Sequence, residues 1–411
     1  MAYLPRIADG ELTTRLATAG AVLIEGAKAC GKTETARQQA ASELRLDVDD
    51  QARTAAETAP ELVLDRPAPL LIDEWQLVPS LWNRVRRAVD DRQAVGQFIL
   101  TGSATPNDDV NRHSGAGRFS VMRMRPMCLA ESGRSTAAVS LDALLDGTTQ
   151  AAGDPGLNVP ELAEVLTIGG WPAWQGMPAA SVSRGLRDYL TQISHVDVAA
   201  VAGQRRNPTK VDALLRSLAR NTASEVAVTT LAADAAADRE TTSGYLAVLE
   251  RLMIVENQPA WAPAMRSRVQ LRTSPKRHLV DPSLAVAALR GSPAKLLADL
   301  ETMGMLFESM VVRDLRVLAQ PLDGQVLHYR DNKGLEIDAV VVCDDGRWGA
   351  FEVKLGSTRI DEAAANLLAF VAKLDTSASG HPGVLAVITG SGLAYRRADG
   401  VHVVPIGTLG P

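Results

Sequence analysis

A short apolar run, Ala21-Val22-Leu23-Ile24, passes through Glu25 straight into Gly26-Ala27-Lys28-Ala29-Cys30-Gly31-Lys32-Thr33, and this junction constrains the fold more than any other feature of the chain. A buried strand that ends in Gly-x4-Gly-Lys-Thr ahead of a helix gathers backbone amides around an anion. The glycines let the chain curl, and the helix N-terminus adds its partial positive charge. Such a loop cradles the phosphates of a nucleoside triphosphate. On this reading the stretch Gly26, Ala27, Lys28, Ala29, Cys30, Gly31, Lys32, Thr33, Glu34 surrounds the nucleotide, Lys32 reaches the β and γ phosphates, and the Thr33 hydroxyl ligates magnesium.

Two further apolar runs, Pro69-Leu70-Leu71-Ile72 and Gln97-Phe98-Ile99-Leu100, read as buried strands, because continuous runs of that length suit a parallel sheet covered on both faces. Leu81 to Val89 repeats apolar positions at helical spacing. The expectation for residues 1–150 is an α/β sandwich. Its second strand delivers Asp73 and Glu74 at the C-terminal end, where α/β sheets bind ligands. Asp73 is expected to hold magnesium through water, and Glu74 to polarise the attacking water. The third strand ends in Thr101-Gly102-Ser103, with Ser103 the candidate sensor of the γ-phosphate. Arg118, in Gly115-Ala116-Gly117-Arg118, offers charge to the transition state in cis or from a neighbouring subunit, so oligomers are allowed for. Alone, an Asp-Glu pair is more often a solvated strand end, and an arginine as often a surface residue. The upstream loop is what gives them a role.

Outward from the loop, Leu4-Pro5-Arg6-Ile7, Glu25 to Thr33, Ile72-Asp73-Glu74-Trp75-Gln76, Leu100-Thr101-Gly102-Ser103-Ala104 and Gly169-Gly170-Trp171-Pro172 resemble the AAA-type P-loop ATPases. Within them they look like a prokaryotic family in which an AAA-like ATPase domain precedes a C-terminal domain of unknown function. The resemblance spans nearly the whole chain and implies ATP with Mg2+. No Asn-Lys-x-Asp guanine signature speaks for GTP.

Residues 135–160 turn to Ala, Gly, Thr, Asp and Pro, the composition of a domain joint, which places a boundary near 150, and the helix-rich region that follows reaches to about 290. Residues 151–290 read as helix-rich, with Val211–Leu218 and Tyr245–Leu252 amphipathic. Short helices followed by the turn-rich stretch from Val255 to Val280 suggest a winged helix. Arg266, Arg268, Arg272, Lys276 and Arg277 cluster there with His278, as a DNA-facing wing or as a solvated loop. Trp171 and Trp174 read as packing rather than as base-stacking platforms.

Residues 291–411 read as helix Met303–Leu318, strands Gln325–Arg330, Leu335–Val342 and Trp348–Lys354, helix Ile360–Leu374, and strands Val384–Thr389 and Val401–Ile406. Asp338, with Glu352-Val353-Lys354 on the next strand, makes an Asp-x13-Glu-x-Lys pattern in which alternation puts Glu352 and Lys354 on one face. In this element order the pattern resembles the restriction-endonuclease-like, PD-(D/E)xK nucleases. That likeness implies Glu308, Asp338 and Glu352 as ligands of one or two magnesium ions, and Lys354 as the residue that positions or deprotonates the attacking water. The plainer alternative is a surface ion pair. Glu336 lies on the side of Asp338, able to substitute for it or to face solvent.

Composition narrows the setting. The 411 residues are 46% hydrophobic and 22% charged, and contain no run of eighteen apolar positions, so a soluble chain of two or three domains without a membrane span is expected. The N-terminus lacks the apolar segment of a signal peptide, which points to the cytoplasm. Cys30, Cys128 and Cys343 lie too far apart for a disulfide framework or zinc site. A net charge of −5 excludes a generally basic surface but not a local basic patch, so DNA and a protein both stay in view as partners beside ATP.

Overall fold

The computed structural model describes residues 3–102, 114–148, 151–202, 207–263 and 273–411. Strands β1 (Ala21–Glu25), β2 (Ser42–Arg45), β3 (Leu70–Asp73), β4 (Phe98–Gly102) and β5 (Phe119–Arg123) form an all-parallel sheet in the order β2-β3-β4-β1-β5. Leu23, Leu70, Ile72, Phe98 and Leu100 pack on one side with Leu81, Trp82 and Val85 of the helix Leu81–Arg92. Val22, Ile24, Leu71 and Ile99 pack on the other with Leu12 and Leu16 of the helix Ile7–Leu16. Both faces are covered, which is why these strands are apolar without alternation. The chain leaves β1 on one side to reach β2 and returns past it to β5, so the loops at the C-terminal edge diverge there and open a crevice.

Beyond β5, the short strand β6 (Val139–Ser140) runs into the helix Leu141–Leu145. The helices Val159–Ile168, Ala179–Gln192, Pro208–Arg220 and Arg239–Arg251 follow, then an antiparallel hairpin of β7 (Val255–Gln258) and β8 (Lys276–Leu279). This hairpin changes the expectation for the basic cluster. Lys276, Arg277 and His278 are all buried on β8, so none of them forms a solvated loop or a DNA-facing wing. Arg266, Arg268 and Arg272 lie outside the described residues.

The last part opens with the long helix Leu300–Ala319 and continues through β9 (Gln325–Arg330), β10 (Glu336–Val342), β11 (Trp348–Lys354), the helix Ile360–Lys373, β12 (Val384–Thr389), β13 (Tyr395–Arg396) and β14 (His402–Pro405). The sheet order is β13-β14-β12-β11-β10-β9, with β9, β10 and β11 an antiparallel meander and β12 parallel to β11. Val326, Val341 and Phe351 share a core with the long helix, while Leu367 and Phe370 of the helix Ile360–Lys373 pack with Val340 and Trp348. A final strand, β15 (Leu409–Gly410), pairs with β6. One apolar cluster runs unbroken from Leu12, through Leu162, Leu214 and Leu249, to Met310 and Leu409. No helix among the described residues is long and apolar enough to cross a membrane.

Candidate nucleotide site and the C-terminal acid cluster

The loop after β1 is held by its neighbours before any ligand is considered. A Cβ on Gly26 would stand 2.2 Å from the Met124 carbonyl oxygen, so only glycine fits the close approach of the chain just past β5. Ala29 and Gly31 take positive φ values, 62° and 108°, and the helix Lys32–Arg37 starts immediately after them. Lys32 is buried and donates to the carbonyls of Gly26 and Ala27, each at 2.9 Å, so its ammonium lies inside the loop. Cys30 is fully buried, its thiol 3.5 Å from the Met124 carbonyl, and Glu34 faces solvent beside Arg37.

Thr33 Oγ1 donates to Asp73 Oδ1 at 2.8 Å, and the Thr101 hydroxyl donates to the same oxygen. The two expected magnesium ligands therefore meet, and a hydroxyl with a carboxylate fits a hard divalent cation. Glu74 sits in the left-handed region at φ 54°, ψ 47°, with the Gln76 amide donating to its carboxylate. For a residue with a Cβ this backbone costs on the order of 1–2 kcal/mol, strain of the kind found at functional sites.

Sequence reasoning missed two supports of the loop, Arg6 and Asp197. Arg6 is buried and donates to Cys30 O at 2.9 Å and to Arg125 O at 2.8 Å, while its Nε lies 3.1 Å from Glu131. Its place in Leu-Pro-Arg-Ile was the only available signal. Lys28 pairs with Asp197 of the helical part. Beside the loop lies a cavity of about 580 Å³, lined by Tyr3, Leu4, Pro172 and Ala173 together with Arg6, Gly31 and Thr33. Trp171, in the same Gly-Gly-Trp-Pro segment, is buried against Trp174 and Tyr189 and donates to Ser283 at 3.1 Å, a packing residue as expected.

Of the two remaining expected residues, only Arg118 has a described position, and it is not brought to the loop. Ser103 lies outside the described residues. Arg118 accepts from Ala21 N through its carbonyl at 3.2 Å, at the start of β1, and its side chain bonds Asp90 at 2.8 Å. The five residues of β1 set it about 16 Å from the loop, so a role in cis is not open to it in this arrangement.

In the last part, Glu308 descends from the long helix, Asp338 lies on β10, and Glu352 and Lys354 lie on β11. The register between β9 and β10 shifts between Ile337 and Val340, a bulge beside Asp338 of the sort that re-aims a side chain. Asp338 Oδ2 accepts from Val353 N at 2.9 Å and from Lys354 at 3.4 Å. Glu352 accepts from Lys354 and from Asn366, each at 2.7 Å. Glu336 turns away to Arg330 at 3.1 Å and is partly exposed.

An unexpected residue completes the cluster. Lys276 of β8 donates to Glu308 Oε1 at 2.6 Å and to Asp338 Oδ1 at 3.5 Å. Burial, then the Asp338 charge, pushes Glu308 and Glu352 each up to about 7. Burial would raise Asp338 too, but Lys276, then Lys354 and the Val353 amide, hold it below its ordinary value. Among the described residues no three carboxylate, imidazole or thiol groups are arranged to hold a metal ion. In this state Glu308, Asp338 and Glu352 are paired instead with the ammonium groups of Lys276 and Lys354.

Comparison with known proteins agrees with the first part of this picture. Residues 18–132 match the family model described as an AAA domain, residues 159–295 a domain of unknown function (DUF8612), and residues 303–409 another (DUF4143). Two mycobacterial proteins described as uncharacterized, from Mycobacterium tuberculosis and Mycobacterium bovis, are each 25% identical over 364 residues, covering 86% of this chain and 74% of their own. A Walker-type ATPase of Pyrococcus abyssi aligns with 70% of this chain and 96% of its own, at 12% identity and a TM-score of 0.42. The AAA match coincides with the parallel sheet and its phosphate loop, so this part of the chain is similar to AAA-type P-loop domains in sequence and carries their loop on a parallel sheet.

Proposed function

We propose that this chain binds and hydrolyses ATP with magnesium at the Gly26–Thr33 loop, and that its nucleotide state governs a C-terminal domain of restriction-endonuclease-like type that acts on DNA. The observation that carries the first half is the hydrogen bond from Thr33 to Asp73, which joins the loop hydroxyl to the strand-end carboxylate. Magnesium, held by these two residues, would neutralise charge on the β and γ phosphates. Lys32 would exchange the Gly26 and Ala27 carbonyls for phosphate oxygens. Glu74 would orient the attacking water and take its proton. The Tyr3, Leu4, Pro172 and Ala173 walls suit a purine base, Ser103 would sense the γ-phosphate, and Arg118 would serve a neighbouring subunit.

For the second half, support comes from element order. A helix, a three-stranded antiparallel meander, a helix and a strand parallel to the third carry Glu308, Asp338, Glu352 and Lys354 on the first helix and two central strands. A second reading, a domain that grips nucleic acid or a protein without cutting, is favoured by the lysine-filled carboxylate cluster.

Turnover of ATP by the wild type, with tight binding lost in Lys32→Ala and binding kept without turnover in Glu74→Gln, is the expected result. Equal turnover in all three proteins sinks the ATPase reading. Plasmid incubated with magnesium and ATP should be nicked by the wild type and spared by Asp338→Ala. DNA left equally intact by both transfers the C-terminal domain to the second reading.

A further inference from the structure

The C-terminal acid cluster is arranged around a cation that the chain itself supplies. Lys276 bridges a carboxylate of the long helix and one of β10, 2.6 Å from Glu308 and 3.5 Å from Asp338, and its side chain is only 6% exposed. Lysine buried to this degree is stable only when paired, and both of its partners here are carboxylates. Yet Lys276 belongs to none of the elements that carry the other members of the cluster. It arrives on the β7–β8 hairpin of the helical part.

That hairpin is docked at the bulge of β10. Gln258 of β7, the partner of Lys276 in the ladder, donates to Leu327 O at 3.0 Å and to Asp338 O at 2.9 Å, so the residue that bears the carboxylate also anchors the hairpin whose other strand neutralises it. At its other end the hairpin is fastened to the ATPase sheet. Glu256 of β7 accepts from Arg125 at 2.7 Å, two residues past β5, and the intervening Met124 carbonyl touches the phosphate loop at Cys30. In formal charge, the three carboxylates with Lys276 and Lys354 carry one net negative charge, and without Lys276 they carry two, the complement of a divalent ion.

We propose that Lys276 and a divalent metal ion compete for one place: the Glu308–Asp338 pair holds the Lys276 ammonium in this state, and becomes a metal site when β8 withdraws. This rests on the nuclease-like reading of the C-terminal domain, in which those carboxylates face a metal. Withdrawal of the hairpin removes the Gln258 anchor and the ammonium together.

The test is manganese binding by the full-length protein without nucleotide, followed by electron paramagnetic resonance of the free ion. A site closed in about nine molecules of ten loses about tenfold in apparent affinity, so Lys276→Met should bind one manganese ion at least about tenfold more tightly than wild type. The gain should vanish in Lys276→Met/Asp338→Asn. Should the single variant not fold, Lys276→Met/Glu308→Gln removes one charge of each sign, keeps an oxygen toward the ion, and is expected to show the same Asp338-dependent gain. Equal manganese binding by wild type and the lysine-free proteins, whether strong or absent, overturns the competition. A lysine-free protein that gains manganese but cuts no plasmid upholds the competition and refutes the nuclease reading alone.

Discussion

Lys28 in the phosphate loop and Asp197 in the helical part form an ion pair at 2.5 Å, across 169 residues of sequence. Asp197 closes a five-residue π-helical turn, Ile193–Asp197, that continues the helix Ala179–Gln192, and such turns re-aim side chains at functional sites. The Tyr189 hydroxyl of the same helix donates to the Lys28 carbonyl at 3.3 Å. A triphosphate in the loop would compete with Asp197 for the Lys28 ammonium and be repelled by its charge. Lys28 is half exposed, so the pair is worth less than about 1 kcal/mol. Asp197→Asn is therefore expected to tighten ATP binding by up to about fivefold. Calorimetric titration of both proteins checks this, and weaker binding by the variant contradicts it.

Arg313 is expected to be the most damaging single charge to remove. Its guanidinium lies 2.7 Å from Asp281 and 2.6 Å from Asp314, with all three side chains at most 4% exposed. Those carboxylates also receive Gly170 N at 2.9 Å and Leu129 N at 3.0 Å, so one buried node joins the end of the ATPase part, the Gly-Gly-Trp-Pro segment and the long helix. Arg313→Met leaves two buried carboxylates without a counter-charge, a loss of about 3–5 kcal/mol. Urea unfolding of the variant against wild type measures it, and a loss within about 1 kcal/mol, roughly the noise of surface substitutions, contradicts it.

Buried histidine should work against stability on mild acidification, and two buried glutamates should work for it. Burial, then the nearby Lys276 charge, pushes His328 down to about 4, and burial also holds His278 well below 6.5. A depressed folded value means that the contribution is present above pH 6.5 and is lost as pH falls through the folded value, for His328 between 6.5 and about 4. Glu308 and Glu352, raised to about 7, act oppositely: their contribution is present below pH 4.5 and is lost as pH rises through about 7. Unfolding free energies measured from about pH 8 down to about pH 4 should show the stability of His328→Leu rising relative to wild type as the pH falls. Parallel curves would mean that His328 does not take part.

Arg118 offers a test of assembly. Because it stands at the far end of β1 from its own loop, it can assist hydrolysis only in another chain. ATP turnover per chain should rise with protein concentration in the wild type and stay flat in Arg118→Ala. Turnover that is equal in both and independent of concentration would leave Arg118 as a partner of Asp90 and nothing more.

Much of this site was legible in the sequence because local chemistry dictates it. Gly26 to Thr33 needs its glycines for backbone reasons, and an apolar strand that delivers Asp73 next to such a loop meets the need of a phosphate-bound cation for a carboxylate. The β9–β12 order was readable from alternation and punctuation, to within a residue at the Glu336 start of β10. Lys276 was not, since a lysine beside Arg277 and His278 looks like part of a solvated loop or a wing until the hairpin is known to dock at the Asp338 bulge. Arg6 and Asp197 were hidden for the same reason: each acts through a tertiary contact more than twenty residues away, which no periodicity records.

The apolar cluster from Leu12 to Leu409 joins the parts of the chain through one shared core, so they are expected to melt together. Ligand bound at the loop then protects everything at once. ATP at one hundred times its dissociation constant adds about 2.7 kcal/mol to global stability. Strands β11 and β12, which never touch the nucleotide, would slow their amide exchange by the same factor as β1. A single calorimetric transition, shifted as a whole by ATP, is the thermodynamic form that communication between the two ends of this molecule would take.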